Sequence, residues 1–420
     1  MRGIAGFVGI FWASVGLAAG DWSAQTERDY SAITDGVSSI ARDGAAPGGL
    51  VLYGPTAFPI VRDRKGSIFL AGARLGAGRL IAGTHTLYAD SQAMGADPAL
   101  ARLMRQATAW LADGVAAVRV GVHSSCGGAA AAFESAGYTV VAGDPDALQD
   151  VAVFCVNANA NLSGRAQFAV RDFVAAGGGL LVTGTPWAYT VDNFAQNLPG
   201  NRMIEPAGVV FVEGYIWPEP GPDEVTQDLP SPLTNAGNAL EALIAHAEGA
   251  DPLELAQRQL AGDTVSRAIR WLSWSQTAYF NRVADLEAAV GGIRFPLEKA
   301  QQPEQRVVAE AQMKTAENAP AAALVANVHA ADFPGAVPED APRDTVTLNL
   351  DGSYAGVDAR RLYSNPGEPV WRSTGRYAAP GEVVEVRVEE RAINSGLSVL
   401  VGSHTDDIGR HDRWDRFPRV

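Results

Sequence analysis

No histidine in these 420 residues is followed by glutamate: His85, His123, His246, His329, His404 and His411 precede Thr, Ser, Ala, Ala, Thr and Asp. A zinc-protease helix needs two His one turn apart, with a Glu beside the first to take the proton of the metal-bound water. That site is therefore excluded from this stretch of polypeptide. Basic residues are also few, 33 Lys and Arg against 47 Asp and Glu, for a net charge of -14. With no basic stripe interleaved with aromatics, nucleic acid and anionic membrane surfaces are excluded as partners. No Gly-Lys-Ser/Thr follows Gly177-Gly178-Gly179, so that run reads as turn chemistry and not as a phosphate loop. Beyond one apolar run, Gly3 to Ala19, no stretch approaches the roughly 20 residues a membrane span prefers.

What is present is material for conventional cores, 47% hydrophobic against 19% charged residues, enough for two or three globular domains. The opening Met1-Arg2, the apolar run and the small-residue step Ala18-Ala19-Gly20 form a signal-peptide pattern over residues 1–20. The expectation is export, to the periplasm, the cell surface or the medium. Only Cys126 and Cys155 provide thiols. Each falls at or just past the end of a predicted strand of one sheet, and an exported protein can oxidise such a pair, so a disulfide and two buried thiols are both open.

The pattern predicts a multidomain α/β plus β chain. Residues 28–217 read as a parallel α/β domain: strands at 50–53, 58–61, 67–71 and 79–82 joined by tight connections, a helix ending near Leu111, then strands at 118–122, 138–141, 151–156 and 180–183 alternating with helices from about Gly128 and Ser163. Residues 218–338 read as a Pro-rich connector and helical region, with helices from Asn238 to Leu255 and Val265 to Ala289. Residues 339–420 alternate with period two around Thr345–Leu350, Val384–Val388 and Leu397–Val401, which argues an antiparallel β-sandwich segment.

Two regions resemble known families. Trp371-Arg-Ser-Thr-Gly-Arg-Tyr377, Gly402-Ser-His-Thr-Asp-Asp407 and Trp414-Asp-Arg-Phe-Pro-Arg-Val420 resemble the start of the peptidase region of enhancin-like zinc metallopeptidases, the M-60 group. Gly72-Ala-Arg-Leu-Gly-Ala-Gly-Arg-Leu80, Gly177 to Trp187 and Pro199-Gly-Asn-Arg202 resemble the amidotransferase-like, flavodoxin-like N-terminal domain of TRP-channel-associated factors. The resemblance implies that 339–420 opens a peptidase region whose zinc lies in a catalytic domain further downstream. It also implies that the complete architecture cuts glycoproteins, and that this chain needs no cofactor of its own. The amidotransferase nucleophile does not carry over, since the matching elbow, Val182-Thr-Gly-Thr-Pro186, has no Cys.

The residues themselves offer four candidate sites. Cys126 follows a strand, precedes a helix and has His123 close by, a setting in which a thiol nucleophile is conceivable beside a structural role. His404, Asp406, Asp407, His411 and Asp412 offer oxygen and imidazole ligands, although their spacing matches no defined metal loop and equally suits a polar loop bonded to its own backbone. Trp371, Arg376 and Trp414, with neighbouring arginines, could recognise sugar acids or carboxylates, or simply stack within the sandwich. His85 stands at a strand end. The expected function is an exported, substrate-positioning portion of an enhancin-like metallopeptidase acting on glycoproteins, inactive by itself. The alternatives are a non-enzymatic glycan- or protein-binding protein and a thiol hydrolase using Cys126.

Overall fold

A computed structural model describes residues 22–42, 45–217, 221–293, 297–298, 300–318, 320, 337–351, 372–379, 381–393 and 395–399. It divides into two compact units, residues 1–314 and 315–420.

The first unit contains strands β1 (Ser39–Ile40), β2 (Gly49–Leu52), β3 (Phe58–Arg62), β4 (Ile68–Leu75), β5 (Gly78–Gly83), β6 (Arg119–Val122), β7 (Thr139–Ala142), β8 (Val153–Asn157), β9 (Gly179–Thr183), β10 (Val209–Val212) and β11 (Asp223–Glu224). Nine form one mixed sheet in the order β1-β11-β3-β4-β5-β9-β8-β6-β7. The block from β5 to β7 is parallel, as the near-continuous apolar runs require. The remaining strands are antiparallel, so the parallel α/β reading of the domain holds only for the block from β5 to β7. The reason is local: β3 and β4 are joined by the turn Asp63–Gly66, and β4 and β5 by Gly76-Ala77, with Gly76 at φ +60°. Connections that short permit only antiparallel pairing.

Alternate residues of the central strands enter different cores. Leu181, Val153, Cys155 and Ile81 face one side, where helices α1 (Ala24–Thr34), α2 (Ser91–Ala96), α3 (Pro98–Leu111) and α4 (Ala129–Ser135) lie. Leu180, Val182, Phe154 and Val156 face the other, covered by α5 (Gly164–Ala175), α6 (Phe194–Asn197) and α7 (Pro199–Ile204). Ser163 caps α5 as expected, its Oγ accepting from the Ala166 N–H, and Gly177 turns the chain with φ +120°.

A second correction concerns the first predicted strand. β2 does not join the main sheet but pairs with β10 in a two-stranded ribbon. Leu50, Leu52, Val209 and Phe211 point from this ribbon into the second core. Val51, Tyr53, Val210 and Val212 point into a third, closed by α8 (Ala236–Ala247), α9 (Leu255–Trp271), α10 (Thr277–Val290) and α11 (Pro303–Asn318). The two helices predicted between 238 and 289 are thus three. Gly249 at φ +76° follows the end of α8, and extended Leu272 (ψ 141°) separates α9 from α10. Among the described residues no helix is long and apolar enough to cross a membrane.

At the sheet's antiparallel end Asp223 is 2% exposed, with the Arg42 Nε 3.3 Å from its Oδ1. Burial pushes its carboxyl up to about 6, Arg42 opposing and Asp63 adding to the rise. Because the folded pKa lies above the unfolded one, the native state binds the extra proton between about pH 4 and about pH 6, and stability from this group falls as pH rises through that window. Asp223→Asn is therefore expected to gain stability relative to the parent by about 2 kcal/mol between about pH 4 and about pH 7. Calorimetric melting of both proteins across that range checks it, and a constant difference would refute it.

In the second unit no strand is assigned among the described residues, which hold one 3-10 turn, Glu390–Ala392. The period-two side chains Val346, Leu348, Leu350, Val384, Val386 and Val388 are all exposed. Arg343 reaches the Glu382 carboxylate through Nε (3.1 Å) and Nη2. The expected sandwich ladders are not formed among these residues.

Candidate functional site

In the parallel block the chain leaves β6 outward to β7 but leaves its neighbour β8 in the opposite direction, to β9. Connections diverging this way leave a crevice beyond the carboxyl ends of the two strands, where open α/β sheets bind ligands. Here the crevice is built from His123, directly after β6, the 3-10 turn Ser124–Cys126, and Asn157 at the end of β8.

The His123 N–H donates to the Cys155 carbonyl at 2.9 Å, fixing the turn to β8. The Ser125 N–H donates to His123 Nδ1 at 3.2 Å, with the Ser125 hydroxyl 2.8 Å from the same nitrogen. That places the ring proton on Nε2. Ser125 Oγ also accepts from the Asn157 N–H (3.1 Å). The Asn157 Oδ1 accepts from Tyr189 Oη (2.8 Å), which itself accepts from the Thr185 N–H (2.9 Å). The ends of β6, β8 and β9 are thereby tied by one polar chain. Beside it opens a cavity of ≈ 360 Å³ lined by His123, Ser124, Gly143, Asp144 and Pro145. Gly143 is required there, because a Cβ would press on the His123 nitrogen and the Phe154 ring.

Cys126 (9% exposed) and Cys155 (fully buried) are free thiols, hydrogen-bonded to each other. The bond from Cys155 holds the Cys126 thiol below its ordinary range, against burial and with help from Thr183 and Ser125. The same contact and its own burial push Cys155 well up. His123, the nearest base in sequence, is bonded to Ser125. The relay a cysteine nucleophile requires is not assembled among these residues.

Of the residues singled out from sequence, Trp371, His404, Asp406, Asp407, His411, Asp412 and Trp414 lie outside the described residues. Arg376 is exposed, its N–H donating to Thr374 Oγ1 at 3.2 Å. Among the described residues no group of three or more His, Cys, Asp and Glu could hold a metal ion. His85 is occupied as a cap, its Nδ1 accepting from the Leu87 N–H (3.1 Å), and burial lowers its pKa. Ser125, Asn157 and Tyr189 escaped the sequence reading. Their signal was position alone, since the first two fall at or just past predicted strand ends.

Residues 14–220 match the family described as TRPM8, N-terminal domain, and residues 353–420 match the N-terminal domain of M60-like peptidases. The two regions follow in the order the motifs implied. The chain is 26% identical to human TRPM8 channel-associated factor 2 over 405 residues, covering 94% of this chain and 41% of the relative. It is 25% identical to the Xenopus laevis TRPM8 channel-associated factor homolog, covering 93% and 40%. It thus spans about two fifths of the length of these relatives. Among solved structures it is similar to the IMPa metallopeptidase from Pseudomonas aeruginosa, at 16% identity and a TM-score of 0.47, covering 68% of this chain and 37% of that one.

Proposed function

We propose that this chain is an exported, non-catalytic region that holds a glycoprotein substrate for an M60-like peptidase domain C-terminal to it. The observation that carries the reading is the M60-like N-terminal match over residues 353–420 on a chain in which no His precedes Glu. In this reading residues 1–20 direct export and the α/β unit is an amidotransferase-like, flavodoxin-like domain without its nucleophile. Residues 339–420 complete their sandwich against the peptidase domain, which holds the zinc. Trp371, Arg376, His404, Asp406, Asp407 and Trp414 are, in this reading, the candidate residues for binding the glycoprotein.

The purified chain is expected to retain mucin on a column and to leave it uncut with or without added zinc, followed by gel electrophoresis over hours. Zinc-dependent cleavage would overturn the non-catalytic assignment, and failure to retain mucin would overturn the substrate-holding one. A second reading is favoured by relatives matching 94% of this chain that are named channel-associated factors: a protein-binding region indifferent to sugars. Retention that survives enzymatic deglycosylation of the mucin would select it.

A further inference from the structure

Four aromatic side chains of the first unit stand conspicuously in water among the described residues: Phe168, Trp187 (46% exposed), Tyr215 and Trp217 (80% exposed). Three of them touch. The Trp187 and Tyr215 ring centroids are 6.4 Å apart at 82°, and those of Tyr215 and Trp217 4.7 Å apart at 84°. A large aromatic is costly to leave exposed, and three in contact make a patch that calls for a ligand.

The patch is built on fixed supports. Trp187 sits in a 3-10 turn opened by Pro186, just past the carboxyl end of β9, and its Nε1–H donates to the Ala46 carbonyl at 2.7 Å. Between Tyr215 and Trp217, the Ile216 N–H donates to the neighbouring Pro47 carbonyl at 3.1 Å, while the Ile216 side chain packs on the first core. Both halves are therefore anchored to one short segment, 46–47. Each ring stands nearly perpendicular to the next, giving a stepped surface. A sugar ring fits such a corner: its C–H face packs on one aromatic face while its hydroxyls stay hydrated. The chain around the patch is acidic. Glu213 and Asp192 are exposed, no Lys or Arg occurs between Met203 and Gln257, and Arg42, before the supporting segment, is turned to the Gly221 carbonyl and Asp223, a balance that disfavours anionic sugars.

We propose that Trp187, Tyr215 and Trp217 form a stacking platform for an uncharged hexopyranose. The proposal rests on the glycoprotein reading above for the source of that sugar. The test measures binding of the full chain, and of Trp217→Ala, Trp187→Ala and the control Phe168→Ala, to desialylated mucin, sialylated mucin and the deglycosylated mucin backbone. The expected result is tightest binding to desialylated mucin, about tenfold weaker for each Trp variant, with the control's binding and the melting temperatures of Trp217→Ala and Phe168→Ala unchanged, Trp187→Ala alone losing the bond to Ala46. If the parent binds and both Trp variants bind equally well, the platform is refuted while the glycoprotein reading stands. Equal binding of the deglycosylated backbone would make the patch a protein-docking surface instead, and no binding by the parent would overturn both ideas.

Discussion

Asp29→Ala is expected to lower the unfolding free energy by about 3–5 kcal/mol, the usual cost of removing one partner from a buried ion pair. Asp29 is 5% exposed. Its carboxylate accepts a two-pronged bond from Arg74, Nε at 2.6 Å and Nη2 at 2.7 Å, as well as Trp110 Nε1 at 3.0 Å and Gln25 Nε2 at 2.9 Å. One side chain on α1 thus joins β4 and α3. Removing it leaves the Arg74 guanidinium and the Trp110 N–H without their acceptor, a penalty beyond the bonds themselves. Burial alone would raise the Asp29 pKa, but the hydrogen bonds from Arg74, Trp110 and Gln25 outweigh it and hold the carboxyl below its ordinary range. The sign follows: this stability is fully present above the unfolded value of about 4 and is lost as pH falls through the folded one. Urea titrations of parent and variant at neutral pH and in acid should show a gap that narrows in acid. A neutral-pH loss under about 1 kcal/mol would contradict this account.

Asn235→Ala should cost about 2–3 kcal/mol, summing a lost helix cap and the Ala57 carbonyl left without its side-chain donor, while the Gly54 carbonyl keeps the Ala57 N–H at 3.1 Å. Asn235 is fully buried. Its Oδ1 accepts from the Gly237 and Asn238 N–H groups at the start of α8 (2.8 and 3.3 Å), while Nδ2 donates to the Gly54 and Ala57 carbonyls (both 2.8 Å). Only an amide does both jobs. Asn235→Asp keeps the cap but turns a negative oxygen toward two carbonyls, so it should be at least as damaging as Ala; Asn235→Ser should recover only about 1 kcal/mol. Denaturant titration of the three variants ranks them, and an Asp variant as stable as the parent would refute the assignment. Because Asn235 bonds the loop after β2, hydrogen exchange in α8 and α9 should accelerate first.

The elements visible in the sequence are those whose neighbours are close along the chain. β8 and β9 read as buried strands because both faces are covered, and Ser163 and Gly177 mark the ends of α5 through ordinary capping and turn chemistry. The fate of β2 was not readable, since its apolar run Leu50-Val51-Leu52 would suit a place in the main sheet equally well. Its partner β10 lies far along the chain, and nothing local distinguishes one pairing from the other. The crevice was legible only in part. His123 and Cys126 stand out as residue types, whereas Ser125, Asn157 and Tyr189 acquire meaning only once the sheet order brings three strand ends together. The aromatic patch shows the same limit: Trp187 drew notice as part of a motif, and Tyr215 and Trp217 join it only through the 46–47 segment.

The two-faced β2–β10 ribbon also bears on how the chain reaches this fold. Its partners, like Asn235 and Gly54 at 181 positions apart, are brought together across the whole α/β block, and such closures are slow. The surface on which α8 and α9 condense is one face of that ribbon, so it does not exist until β10 has found β2. Folding is therefore expected to be ordered in time, the sheet and its flanking helices collapsing first and the helical layer following as a late, dependent step.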